Sequence, residues 1–92
     1  MKTILRRDKM KIYGDLLAAL HSERDTEKIV LTQVQMKINV SFDRMKTYIE
    51  DLVDLGLVQD KTSLRLTEKG TQYLREYEKV LDFITRMGLS YG

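Results

Sequence analysis

Two helix-start signals lie nine residues apart in the middle of the chain, and they constrain the fold more than any other feature. Thr32 precedes Gln35 by three residues, the form of a capping box in which each side chain bonds to the other residue's backbone N–H. Ser41 offers a second N-cap, and Asn39 just before it suits a left-handed helix end. The helix that starts at Thr32 must therefore be short. Two helices joined this closely are typical of a helix-turn-helix unit.

Longer amphipathic helices are predicted on both sides of this short helix. The first spans residues 8–21, and Gly14 within it indicates a closely packed neighbour, because glycine costs about 1 kcal/mol in a helix. The other spans about 41–55 and ends at Gly56, which can adopt a positive φ. The predicted buried faces are Ile12, Tyr13, Leu16, Leu17 and Leu20 in the first helix, and Phe42, Met45, Ile49, Leu52 and Val53 in the later one.

Short β-forming runs complete the pattern. Residues 29–31 favour a strand, and residues 57–66 predict a two-stranded hairpin around a turn at 60–63. Thr67 then caps a last helix that continues to about Met87 and is followed by Gly88. The order helix, strand, helix, helix, hairpin, helix is that of a winged helix-turn-helix domain. We therefore predict a mainly α (α+β) fold with a short β-hairpin wing at about 57–66 and a long C-terminal helix.

The last helix carries an apolar stripe that one small domain would not cover. From Tyr73 to Met87 its members are spaced four, three, four and three residues apart, which is an a/d repeat. Left bare, the stripe would form an apolar patch rarely seen on monomers. We predict a homodimer in which this helix meets an oppositely directed copy; the alternative is that the helix folds back on its own domain. The predicted interface is Tyr73, Tyr77, Val80, Leu81, Ile84 and Met87.

Residues 1–66 are accordingly expected to form the winged helix-turn-helix domain. Residues 67–92 are expected to form the dimerisation (coiled-coil) helix, as part of the same structural unit.

Composition argues against several classes of protein. The chain has no cysteine and one histidine, His21, so a disulfide framework or a His/Cys metal site is not expected. His21 is interpreted as a surface residue at the end of the first helix. The longest apolar run, residues 16–20, is far shorter than the ~18 residues that span a membrane. We expect a soluble cytoplasmic protein that is not an enzyme and has no cofactor, metal or membrane partner.

Charge is distributed unequally along the chain. Residues 1–46 contain ten Lys and Arg against six Asp and Glu, whereas residues 47–92 contain six against eight. A basic half favours a polyanionic partner, although an ordinary mixed surface is also compatible with this charge.

A run of residues through the middle of the chain resembles a known family. The pattern Asn39-Val40-Ser41-Phe42, Met45, Tyr48-Ile49, Leu52-Val53 and Gly56-Leu57-Val58, followed by Leu66-Thr67-Glu68-Lys69-Gly70, is similar to archaeal winged-helix DNA-binding proteins of the Sulfolobus 10a type. The resemblance covers nearly the whole chain. It implies an elongated double-stranded-DNA-binding dimer, joined through an antiparallel coiled coil of the last helices and associated with the nucleoid in the cytoplasm.

The candidate DNA contacts follow from the predicted helix-turn-helix, the basic leader and the wing. Recognition helices meet base edges with their N-terminal residues, and the first half of the 41–55 helix is basic whereas its second half is acidic. The basic leader would grip the backbone unless it is merely a solvated terminus, and the wing cations would touch phosphate unless they are structural. The predicted DNA-binding residues are Arg6, Arg7, Lys9, Lys37, Ser41, Arg44, Lys46, Thr47, Lys61 and Arg65.

Two functions remain open at this point. The first is a DNA-binding homodimer that acts as a transcriptional regulator or a chromosome-organising protein. The second is a winged helix used only for protein interaction, which the acidic second half of the 41–55 helix favours.

Overall fold

The computed structural model describes residues 4, 5 and 9–91. Four helices follow one another along the chain, and a two-residue strand lies at each end of this range. The elements are β1 (Ile4–Leu5), α1 (Lys9–Ser22), α2 (Leu31–Lys37), α3 (Phe42–Asp54), α4 (Glu68–Arg86) and β2 (Ser90–Tyr91). The mainly helical fold predicted from the sequence is confirmed, with α1, α3 and α4 within two residues of their predicted bounds.

The core lies between the first three helices. α1 contributes Leu16, Leu17 and Leu20, all buried because they recur on one face of the helix. Val34 from α2 and Met45 from α3 contact this cluster, and neither retains exposed surface. Leu57, Val58 and Leu64, from the segment that follows α3, also belong to this core. The helix-turn-helix unit and the following segment therefore share one hydrophobic core.

α4 packs across α1 where the latter has no side chain. A Cβ on Gly14 would lie closer than 3.0 Å to three ring carbons of Tyr77, so only glycine fits against that ring. The Tyr77 hydroxyl donates to Asp15 at 3.1 Å, and Lys11 pairs with the same carboxylate at 2.6 Å. The close neighbour predicted for Gly14 is thereby confirmed.

The caps of the two long C-terminal helices match the sequence prediction. The Ser41 hydroxyl accepts from the backbone N–H of Arg44 at the start of α3, and the Thr67 hydroxyl accepts from that of Gly70 at the start of α4. Gly56 and Gly88 both have positive φ where these helices end. These signals are local: each capping side chain bonds a backbone N–H three residues further along, so the cap can be predicted from the sequence alone.

The beginning and end of α2 differ from the prediction. The Thr32 capping box is wrong: α2 starts at Leu31, and Val30 occupies the N-cap with no side-chain hydrogen bond. The strand expected at 29–31 is also wrong. Leu31 is already the first residue of α2, and Ile29 is buried in the core just before it. Asn39 is not left-handed, since α2 ends at Ile38 in extended backbone. Core packing overrides propensity here.

The predicted two-stranded wing is reduced to a single antiparallel bridge between Val58 and Leu66. Three backbone groups bend the chain between them: Thr62 and Ser63 donate to the Asp60 carboxylate at 2.8 and 2.7 Å, and Leu64 donates to the Asp60 carbonyl at 3.2 Å. Leu64 then has a φ of 57°, which is incompatible with an extended strand. Burial of the Leu64 side chain in the core offsets that strain. Residues 57–66 are called the wing segment below.

The two ends of the described chain meet in a contact that the sequence did not predict. β1 pairs with β2 in parallel, with Ile4 opposite Ser90 and Leu5 opposite Tyr91. β2 also lies against α4. Among residues 4, 5 and 9–91, no helix is both long and apolar enough to cross a bilayer.

Candidate nucleic-acid interface

The first half of α3 turns a polar and basic face outward. Met45 is buried beneath it, while Asp43, Arg44, Lys46 and Thr47 are exposed, because they lie on the side of the helix that faces away from the core. The Lys46 ammonium lies 5.8 Å from the centre of the Phe42 ring, an exposed cation–π contact.

Arg44 is the best-placed of these cations for a partner outside the domain. In the described part of the chain, no hydrogen bond or ion pair from its guanidinium to the protein is found. Its side chain borders an open cleft of about 350 Å³ between α1, the turn and α3, lined by Ile12, Asn39, Val40, Ser41, Arg44 and Tyr48.

The acidic second half of α3 is partly used inside the fold. The Tyr13 hydroxyl donates to the Asp51 carboxylate at 2.8 Å and so ties α3 to α1. Burial of Tyr13, together with this bond to an anionic acceptor, raises the pKa of the phenol to about 12. Glu50 and Asp54 stay exposed. The sequence gives no local signal for this contact, because the two residues lie 38 positions apart.

Lys37 is engaged within the protein. Its ammonium donates to the Ser22 hydroxyl at 2.7 Å and to the Glu23 carboxylate at 2.6 Å, so the end of α2 is tied to the end of α1. The prediction that Lys37 contacts DNA is not tested by this contact, but phosphate would have to compete with Glu23 for the ammonium.

Arg65 is engaged in a similar way. Its guanidinium donates to the carbonyl oxygens of Arg24 and Thr26, the latter at 2.7 Å. Lys61, at the turn of the wing segment, is exposed, and Asp60 beside it has its carboxyl pKa lowered by the backbone N–H groups of Ser63 and Thr62. Of the two wing cations, Lys61 is therefore the one that points into solvent.

The predicted contacts in the leader are only partly described. Lys9 is exposed at the first residue of α1. Arg6 and Arg7 lie outside the described residues, so their predicted grip on the DNA backbone stays a prediction.

The apolar stripe of α4 is divided between two faces. Tyr77 and Ile84 are turned into the protomer and are each 4% exposed, whereas Met87 is 56% exposed. Phe83, which the sequence analysis did not single out, is 52% exposed. Tyr73, Val80 and Leu81 are half-buried. The outward stripe therefore runs through Val80, Phe83 and Met87, so it keeps Val80 and Met87 of the predicted interface and adds Phe83.

A family comparison agrees with this architecture. A family model described as winged helix-turn-helix matches residues 6–85, most of the chain. The chain belongs to the winged helix-turn-helix family. Comparison with curated proteins and with solved structures gives no match. A winged helix-turn-helix domain is typical of DNA-binding regulators, which agrees with the basic face of α3. The narrower resemblance to the Sulfolobus 10a type stays a prediction.

His21 lies in the last turn of α1, where the sequence analysis expected it. Within residues 4, 5 and 9–91, no three His, Asp or Glu side chains come together as metal ligands.

Proposed function

We propose that this winged helix-turn-helix protein binds double-stranded DNA, with α3 as the recognition helix in the major groove. The observation that carries the proposal is the exposed basic first half of α3, whose Arg44 has no partner within the described residues. An arginine there can form two hydrogen bonds to a guanine edge, and Ser41 and Thr47 can bond phosphate or a base edge. Lys46 and Lys61 would contribute sequence-independent phosphate contacts.

The acidic half of α3 does not oppose this geometry strongly. Asp51 faces α1 through its bond to Tyr13, which leaves Glu50 and Asp54 as the exposed acids of that half. Both lie at the C-terminal end of α3, and a recognition helix that enters the groove with its N-terminus holds that end away from the bases.

The protein is further proposed to act as a homodimer joined through α4, and to serve as a transcriptional regulator or a chromosome-organising protein at the nucleoid. The outward stripe of Val80, Phe83 and Met87 supports a dimer, because Phe83 and Met87 are both more than half exposed on one side of α4 and Val80 beside them is half-buried. The same face continues into an apolar groove bordered by Met10, Leu57, Tyr73 and Val80. A second copy related by a twofold axis would cover both.

A titration of a duplex at several salt concentrations tests DNA binding. If each protomer neutralises ~3–5 phosphates, a dimer gives a log–log slope of the association constant against salt of roughly −5 to −9. Arg44→Ala is expected to weaken binding by about 1–3 kcal/mol and to relax the preference at one base pair. Arg75→Ala, at an exposed position of α4, is the matched control and should bind as the wild type does.

A binding affinity that does not depend on salt would contradict the proposal. An affinity that does not change between low and physiological salt would remove the phosphate contacts on which the proposal depends. The protein-interaction module, whose exposed Glu50 and Asp54 would then face a protein partner, would replace it.

A further inference from the structure

The loop between α1 and α2 is held by a cation from the wing segment. Arg65 uses two nitrogens of its guanidinium at once: Nη1 donates to the Arg24 carbonyl and Nη2 to the Thr26 carbonyl. These contacts join parts of the chain 39 and 41 residues apart. A planar fork with two fixed donors matches two neighbouring carbonyls, and the shorter side chain of a lysine does not reproduce that geometry at this position.

A second cation holds the same loop from the helix-turn-helix side. Lys37, in the last turn of α2, reaches Ser22 and Glu23 where the loop begins. The Glu23 side chain is 13% exposed and that of Lys37 is 43% exposed, so the carboxylate is largely covered while the ammonium stays accessible to solvent. Arg65, Lys37 and residues 22–26 between them, which are the last residue of α1 and the start of the loop, are called the loop brace.

The loop is also held by hydrogen bonds of its own. Its backbone makes consecutive turns, with Glu23 donating to Leu20 at 3.1 Å and Thr26 donating to Glu23 at 3.0 Å. The Thr26 hydroxyl also donates to the Glu23 carbonyl at 2.6 Å. The carbonyls that Arg65 grips are therefore fixed relative to the end of α1.

The wing segment needs an anchor of this kind. Its ladder consists of the bridge between Val58 and Leu66, which is made by two bonds: Gln59 N–H to the Arg65 carbonyl at 2.9 Å and Thr67 N–H to the Leu57 carbonyl at 3.0 Å. A two-stranded hairpin is marginal even when its ladder is complete. The direction in which the turn bearing Lys61 points thus depends on tertiary contacts. Arg65 supplies polar ones, through the carbonyls of Arg24 and Thr26.

We infer that Arg65 is a positioning residue: by gripping the loop that Lys37 also holds, it sets the wing segment relative to α2 and α3, and it does not itself neutralise phosphate. The inference rests on the proposed DNA binding for its effect on affinity. Its structural part, that Arg65 orders the wing segment, stands independently of DNA. The two parts can therefore fail separately.

Two substitutions of Arg65 separate the roles. Arg65→Ala removes both the charge and the fork, whereas Arg65→Lys keeps the charge and removes the fork. If Arg65 positions the wing, both variants bind a duplex about threefold to tenfold more weakly, with the salt slope unchanged. If Arg65 contacts phosphate, the alanine variant loses about 0.9 from the slope while the lysine variant binds as the wild type does, and the inference is overturned.

Amide hydrogen exchange supplies a readout that needs no DNA. In both variants the Gln59 amide should exchange about threefold to tenfold faster, since its acceptor is the Arg65 carbonyl and the segment has lost its anchor. Lys61→Ala, at the exposed turn of the same segment, is the matched control and should leave that rate unchanged. Unchanged exchange at Gln59 in Arg65→Ala and Arg65→Lys would overturn the inference. If the wild-type protein does not bind the duplex, the proposed function is overturned instead. The exchange rate of the Gln59 amide then decides alone whether Arg65 orders the wing segment.

Discussion

At the scale of single residues, the contact between Gly14 and Tyr77 sets how closely α1 and α4 approach. The Tyr77 ring occupies the space where any residue other than glycine would carry a Cβ at position 14. The Tyr77 hydroxyl donates a hydrogen bond to Asp15, the next residue of α1. A glycine in mid-helix is unfavourable on its own, so this contact offsets the propensity cost. The sequence could predict that a neighbour was close, because the penalty is visible locally, but it could not identify the neighbour.

Gly14→Ala tests that contact. Although alanine favours a helix by about 1 kcal/mol over glycine, overpacking against the Tyr77 ring should lower the free energy of unfolding by about 1–3 kcal/mol. Chemical denaturation measures the change. The exposed Ala18→Gly on the same helix is the control and should cost about 1 kcal/mol through propensity alone. A stabilised Gly14→Ala protein would mean that Tyr77 does not lie where the structure has it.

Tyr13 gives a pH dependence of stability. Burial and the hydrogen bond to Asp51 raise its pKa from 10.0 to about 12, so the folded state binds the phenolic proton more tightly than the unfolded state does. The stabilising contribution is therefore complete below pH 10 and is lost as pH rises towards about 12. Unfolding of wild type and Tyr13→Phe, compared across that range, should show the steeper fall in the wild type. Parallel curves would contradict a raised pKa at Tyr13.

The two engaged cations mark the limit of what residue patterns reveal. The predicted DNA contacts of Lys37 and Arg65 stay predictions, but the internal contacts of both residues could not be foreseen. Their partners are 14 or more residues away, and two of them are backbone carbonyls, which leave no mark in the sequence. The Ser41 and Thr67 caps were predictable for the opposite reason, since donor and acceptor lie three residues apart.

At the scale of elements, helices were predicted better than extended segments. The 3.6-residue period of α1, α3 and α4 identifies a helix and its buried face together. The wing segment has strand-like composition, but the carboxylate of Asp60 and the left-handed Leu64 turn the chain before a second strand can form. Its final conformation depends on burying Leu64 in a core built by other elements, which no local pattern encodes.

α4 also shows how two neighbouring stripes can be confused. A repeat through Tyr77 and Ile84 and a repeat through Val80, Phe83 and Met87 both satisfy a/d spacing. The structure turns the first towards its own domain and leaves the second outward. Which stripe faces inward depends on where α1 lies, so periodicity alone could not separate them.

The outward stripe carries the prediction about assembly. Light scattering at micromolar concentration should give a mass near twice the 10.8 kDa of one chain. Phe83→Lys should yield monomers that remain folded, because the ring is 52% exposed in the protomer and the substitution disturbs only the seam. Thr85→Lys, exposed on another side of α4, is the control and should stay dimeric. A wild-type mass near 10.8 kDa would contradict the proposed homodimer.

At the scale of the whole molecule, the protomer is elongated, with extents of 43 × 26 × 22 Å. Short parallel strands join the two ends of the described chain, and residues so far apart in sequence give no pairing signal of their own. The basic face of α3 and the outward face of α4 use different sides of different helices. The proposed DNA surface and the proposed dimer surface therefore do not overlap.

The central claim is that the first half of α3 is the surface that meets DNA. Mapping amide chemical shifts during a duplex titration tests it most directly, because each residue reports on its own surroundings. We expect the largest changes from Ser41 to Thr47, with smaller ones around Lys61 and little change near Asp54. Changes concentrated around Glu50 and Asp54, or no change along α3 at all, would contradict the account.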